Sequence, residues 1–135
     1  MNTKKILLLI EHLNGGGAER IICELSKLFE QEKDYEVVLA IFEDKGTSYE
    51  HCGQLINLNI PGTNNKIRKI VNLIKRIKAV KKIKKDKQIS ACISFMSNAN
   101  MVNVFYKTST TKTITSVRTV LSATTHSSLV IYFPY

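Results

Sequence analysis

The chain has 135 residues, 44% of them hydrophobic and 23% charged, an ordinary globular balance that excludes disordered and fibrous classes. That length is about one domain, long enough to bury a core without disulfide or metal staples. The unusual figure is a net charge of +9.

The first apolar run, Ile6 to Ile10, stops at Glu11 and is too short for a signal-peptide core; no other stretch reaches the length of a membrane span. Lys4 to Ile10 (KKILLLI) instead reads as a strand buried on both faces. From Ala18 the pattern turns helical, with Ile21, Ile22, Leu25, Leu28 and Phe29 at steps of three and four and Glu19 in the first turn. Residues 35 to 42 (YEVVLAIF) predict a second strand, and residues 54 to 62 a brief third, ended by Pro61 and Gly62.

A basic helix follows. Between Lys66 and Lys87 stand eleven Lys or Arg against one acid, Asp86. Ile67, Ile70, Val71, Ile74 and Ile77 form its apolar stripe, expected to dock on the sheet, with Val80 and Ile83 drifting off it. Residues 89 to 96 predict a fourth strand, 98 to 107 a short helix, and 112 to 117 a fifth strand. The apolar tail 119–135 reads either as a terminal helix docked on the sheet or as the point where a longer protein is cut.

Strands alternating with helices imply an α/β fold, a Rossmann-like three-layer sandwich with a mostly parallel sheet, as one domain over 1–135. Ligands bind such sheets at the carboxyl ends of the strands, where the topology switches direction.

At that edge, after the first strand, stands LNGGGAERI, holding three of the six glycines. A helix N-terminus offers unpaired N–H groups to an anion, and glycines let a ligand approach. The phosphate-loop signature fails for want of a Lys-Ser/Thr pair, and the dinucleotide fingerprint fails because its third glycine position is Arg20. Glu43 and Asp44, after the second strand, are the best support for a nicotinamide reading. Spacing leaves two readings open: a tight turn, or a ligand loop.

GGGAERIICELSKLF resembles the opening of family 4 glycosyltransferases of the GT-B fold. ACISFMSNANMVNVF resembles the next family segment, and TITSVRT the strand ending in Ser-x-Arg of a branch that makes bacterial surface polysaccharides. The three lie in family order and spacing, so the resemblance spans nearly the whole chain. It implies the N-terminal, acceptor-side half of a hexosyltransferase. The donor would be a nucleotide sugar such as a UDP-sugar, and the acceptor a growing surface glycan or a lipid-linked sugar. No cofactor or metal is implied. Gly15, Gly16 and Gly17 would lie near the donor's diphosphate or sugar, and His12, Asn98, Asn100 and Arg118 would line the acceptor cleft.

Arg118 stands about where many relatives carry histidine; its fork suits phosphate or carboxylate but cannot act as a base. The family's donor-binding half is missing, so the expectation is a truncated enzyme, inactive alone, or a subunit meeting a separate C-terminal half. The remaining alternatives are a non-catalytic remnant that binds a membrane or a partner, and a small nucleotide-binding module. Asn98 reads equally as a helix cap.

Cys23, Cys52 and Cys92 show no paired spacing, so neither disulfides nor zinc are expected and reduced cytoplasmic thiols fit best. His51 and His126 have no partners at catalytic spacing, and Ser94 and Ser97 lack a nucleophile elbow. The basic helix reads as a solvated face, a nucleic-acid surface, or a patch for the anionic inner face of the cell membrane. The third is preferred: no aromatic residues interleave, and Lys75, Arg76, Lys78, Lys81, Lys82 and Lys85 would meet the headgroups.

Overall fold

The computed structural model describes residues 3–106, 108–117 and, along the backbone, 129–133. Strands β1 (Lys4–Ile10), β2 (Tyr35–Ile41), β3 (Gln54–Asn57), β4 (Ile89–Phe95), β5 (Lys112–Val117) and β6 (Leu129–Phe133) form one sheet. Its order is β3-β2-β1-β4-β5-β6. The first five are mutually parallel and β6 runs antiparallel along β5, from Thr113↔Phe133 to Val117↔Leu129. Helices α1 (Gly17–Gln31), α2 (Lys66–Asp86) and α3 (Ser97–Phe105) supply the outer layers. This is a Rossmann-like three-layer fold.

Alternation along β1 shows why its sequence is continuously apolar. Ile6, Leu8 and Ile10 pack with Ile22 and Cys23 of α1, whereas Leu7 and Leu9 pack on the other side with Val80 and Ile83 of α2 and Ala99 and Val102 of α3. Both faces are covered, so polar residues have no solvated side to occupy. Truncating any of these leucines to alanine would cost about 2–5 kcal/mol.

Of the expected stripe of the basic helix only Ile77 turns inward, and Val80 and Ile83, expected to drift off the docked face, belong to it. Leu73, Ile77, Val80 and Ile83 meet the core, while Ile67, Ile70, Val71 and Ile74 are exposed. The buried face also includes two cations. Arg76 donates through Nε and Nη2 to the Ile60 carbonyl at 3.1 and 2.8 Å, and its guanidinium lies 4.3 Å from the centre of the Phe42 ring. Lys84 donates to Asn103 Oδ1 at 2.9 Å and to the Tyr106 carbonyl at 3.1 Å. Burial pushes the pKa of both side chains down from its ordinary value. Arg76 therefore leaves the expected surface patch; Lys75, Lys78, Lys81, Lys82 and Lys85 remain exposed.

Asn103 is the hub that seats α3. Its buried Nδ2 lies within hydrogen-bond reach of the Cys92 and Ile114 carbonyls and of Ser94 Oγ, so one side chain joins β4 to β5. The apolar tail, for which a docked terminal helix is one of two readings, contains strand β6 over Leu129–Phe133. A short apolar run fits either state, and here the open edge of β5 takes it as a partner.

Candidate functional site

In this sheet β1 and β4 are neighbours whose following helices lie on opposite faces, α1 on one and α3 on the other. The crevice at their carboxyl ends is the switch point where α/β sheets bind ligands. Two helix N-termini flank it, and neither has a side-chain cap.

Both helices start from the same unusual backbone. The residue before α1 is Gly16, with φ 85° and ψ 173°; the residue before α3 is Met96, with φ 75° and ψ 149°. The first conformation belongs almost wholly to glycine, and at a side chain as large as Met96 positive φ is strained. Such strain collects at functional sites, because the surrounding fold must hold it in place.

The three glycines have different reasons. Gly15 and Gly16 have φ of 77° and 85°. At Gly16 the Glu19 carboxylate also occupies the space a Cβ would need. Gly17 is ordinary first-turn helix, and a Cβ there would meet nothing within 4 Å. The turn accounts for two glycines; the third leaves the helix tip bare toward open space. The loop is pinned from below, since Gly15 N–H donates to Ser48 Oγ at 2.9 Å and Ser48 N–H donates to the Leu13 carbonyl.

Glu19, read from the sequence only as a charge matched to the helix dipole, is buried and reaches toward His12. Its Oε1 lies 3.5 Å from His12 Nδ1, too poorly placed for a hydrogen bond. Across the crevice Asn98 donates from Nδ2 to Glu11 Oε1. The cap role is not what Asn98 performs: the cap position belongs to Met96, and Asn98 bridges β1 to α3. Asn100 turns inward. It accepts from Ser94 Oγ at 2.8 Å and donates to the Ser116 carbonyl at 2.9 Å, so its amide is committed to the framework rather than the crevice. Arg118 lies outside the described residues.

Arg76 borders the site from the α2 side. Glu11 and Glu43 both favour its charge against the effect of burial. With Asn98, Asn72, Leu73, Met101 and Pro61 it lines a groove of about 320 Å³ that opens beside the crevice. Glu43 is tied down as well: its N–H donates to the Glu11 carbonyl at 3.1 Å and its side chain pairs with Lys45 at 3.1 Å. Asp44 Oδ1 accepts from Gly46 N–H and makes a turn. Neither acid is disposed as a free ribose ligand.

Sequence reasoning brought His12, Gly15, Gly16, Gly17 and Asn98 to one place. It missed Glu11, Ser48 and the inward roles of Glu19 and Arg76. A polar residue just after a buried parallel strand was the available signal for Glu11; nothing local marks Ser48, which acts across 33 residues. Among the described residues no group of His, Cys, Asp and Glu could hold a metal ion, and no helix is long and apolar enough to cross a membrane.

The resulting donor and acceptor set is mixed. Uncapped N–H groups offer positive character, the Asn98 amide can donate or accept, and Glu11 and Glu19 accept hydrogen bonds. It complements a hydroxyl-rich molecule carrying an anionic group better than a bare anion, which the two carboxylates would repel. Compared with models of known protein families and with curated proteins, the chain matches none.

Proposed function

We propose that this chain is the acceptor-side, Rossmann-like half of a GT-B-type glycosyltransferase of family 4. The reaction would be hexosyl transfer from a nucleotide sugar to a surface-glycan or lipid-linked acceptor. The observation that carries the reading is Gly17, at the uncapped tip of α1 and free of any turn requirement, at the same sheet edge as the Asn98–Glu11 bond. The resemblance of GGGAER, SFMSNAN and SVRT to that family's motifs supports it.

In this reading the N–H groups at the α1 tip stabilise charge on the departing diphosphate, the service that preorganised donors perform well. Asn98 and Glu11 hold acceptor hydroxyls. The donor's base and sugar would rest mainly on a separate or contiguous donor-side half.

Amide chemical-shift mapping of the chain tests it, with UDP-hexoses, a free oligosaccharide and NAD as separate probes. The expected result is a saturable shift at Gly17, Ala18 and the Asn98 side chain with a UDP-hexose or the oligosaccharide, abolished by Gly17→Val. Shifts confined to NAD would replace the reading with a nucleotide-binding module. Silence with all three would remove it.

A further inference from the structure

Helix α2 carries two faces. One is buried through Leu73, Ile77, Val80 and Ile83. The other follows a second row at helical spacing, Ile67, Ile70, Val71 and Ile74, then Lys78, Lys81 and Lys85. Along that row the aliphatic half is open to solvent, Ile67 being 75% and Ile70 62% exposed. On α3, which covers the same face of the sheet, Met101 and Phe105 are exposed too, Phe105 at 65%. Six large apolar side chains on neighbouring helices are more than scattered surface residues, and such patches mark interaction sites.

Charge selects the occupant. Eight of the basic residues on α2 are exposed (Lys66, Arg68, Lys69, Lys75, Lys78, Lys81, Lys82 and Lys85), against the single acid Asp86. A second copy packing isologously would press this positive face against itself. A nucleic acid would use the cations but leave the isoleucines and valine unsatisfied, since phosphate contacts need no aliphatic surface. An anionic lipid surface uses both at once: headgroup phosphates meet the lysines and the acyl boundary receives the aliphatic row.

We infer that α2 and α3 dock the protein on an anionic lipid surface, with Ile67, Ile70, Val71 and Ile74 entering the acyl boundary. The aliphatic half is the N-terminal half of α2, beside the groove that Asn98, Asn72 and Met101 share. Docking therefore brings the mouth of the crevice to headgroup level. The inference stands on exposure and charge and does not depend on the sugar-transfer reading.

Vesicle flotation of the chain provides the test, with phosphatidylglycerol–phosphatidylcholine vesicles compared with phosphatidylcholine alone. The chain contains no tryptophan, so Ile70→Trp supplies a clean reporter whose emission shifts blue on insertion. The expected result is binding to the anionic vesicles that weakens with salt. The double variants Ile70→Ser/Ile74→Ser and Lys78→Glu/Lys85→Glu should each weaken it about tenfold or more, with thermal unfolding unchanged because all four residues are exposed. Equal binding to neutral vesicles, no binding, or indifference to these variants would overturn it. So would a concentration-dependent dimer lost in Ile70→Ser/Ile74→Ser, or duplex DNA binding, without vesicle binding.

Discussion

The Glu19 carboxylate sits over Gly16, filling the position a Cβ would take, and from there faces His12 at 3.5 Å. A side chain at the start of α1 would have to displace this carboxylate, in addition to adopting a backbone angle that already favours glycine. The adjacent Gly17 is under neither constraint.

The two neighbours should respond unequally to the same change. Gly16→Ala forces an L residue into a glycine-only conformation against Glu19, and should lower unfolding free energy by about 2–3 kcal/mol. Gly17→Ala should stay within about 0.5 kcal/mol of wild type, because an exposed first-turn alanine is harmless. Urea denaturation of both variants measures the contrast. Equal effects would mean that the turn alone dictates all the glycines.

Met96 offers a second measure of strain at the crevice. Its side chain packs beside the α1 core, so removing it costs stability in either small variant. Positive φ penalises only a residue with a Cβ. Met96→Gly should therefore be more stable than Met96→Ala by about 1–2 kcal/mol, the reverse of their usual order in regular structure.

Asn103 should be the costliest polar residue of α3 to lose. Asn103→Ala leaves the buried Lys84 ammonium with the Tyr106 carbonyl alone and strips the Cys92 and Ile114 carbonyls of their side-chain donor. A loss of about 3 kcal/mol is expected. Asn98→Ala, whose bond to Glu11 is exposed, should cost less than about 1 kcal/mol. Thermal or urea unfolding of the pair checks the ranking.

Alkaline pH should expose the buried thiol of Cys92. Burial pushes its pKa up from 9.0 to about 11, so the folded chain keeps a proton that the unfolded chain releases. That contribution is whole below pH 9 and lost as pH rises toward 11. Lys84 works the other way, because its depressed pKa makes the unfolded chain the better proton binder as pH climbs toward the ordinary lysine value. Lys84 is present in both proteins of a comparison, so the stability difference between wild type and Cys92→Ala reports the thiol together with its charge coupling to Lys84. That difference should shrink by about 2 kcal/mol across the interval.

Arginine at 76 is expected to be specific. Two donors to one carbonyl and a flat face on Phe42 are properties of a guanidinium, not of an ammonium. Arg76→Lys should destabilise by about 1–2 kcal/mol, whereas Lys75→Ala, one position away and exposed, should be near neutral. Thermal unfolding separates the two.

The central strands were legible because burial on both faces leaves a signature that survives without context: KKILLLI and YEVVLAI contain no alternation to misread. Helix α2 was legible as a helix but not in orientation. Its buried face includes Arg76 and Lys84, whose charges hide it from any reading that equates inside with apolar, and its most aliphatic row points outward. The crevice was half visible. The glycines and Asn98 announce themselves locally, while Glu11 acquires meaning only through a partner 87 residues away. Strand β6 was hidden for a simpler reason, since five apolar residues take whichever structure their neighbour offers.

The bridge between Asn98 and Glu11 makes the crevice self-complementary when empty. An amide donor faces a carboxylate acceptor with no atom between them. A hydroxyl has one proton and two lone pairs, so it can be inserted there, donating to the carboxylate while accepting from the amide. One bond is exchanged for two, with no polar group stranded during the swap. An anion has no proton to give Glu11, and an aliphatic group satisfies neither side. The bridge is thus matched to a hydroxyl, that of water included, and not to a bare anion.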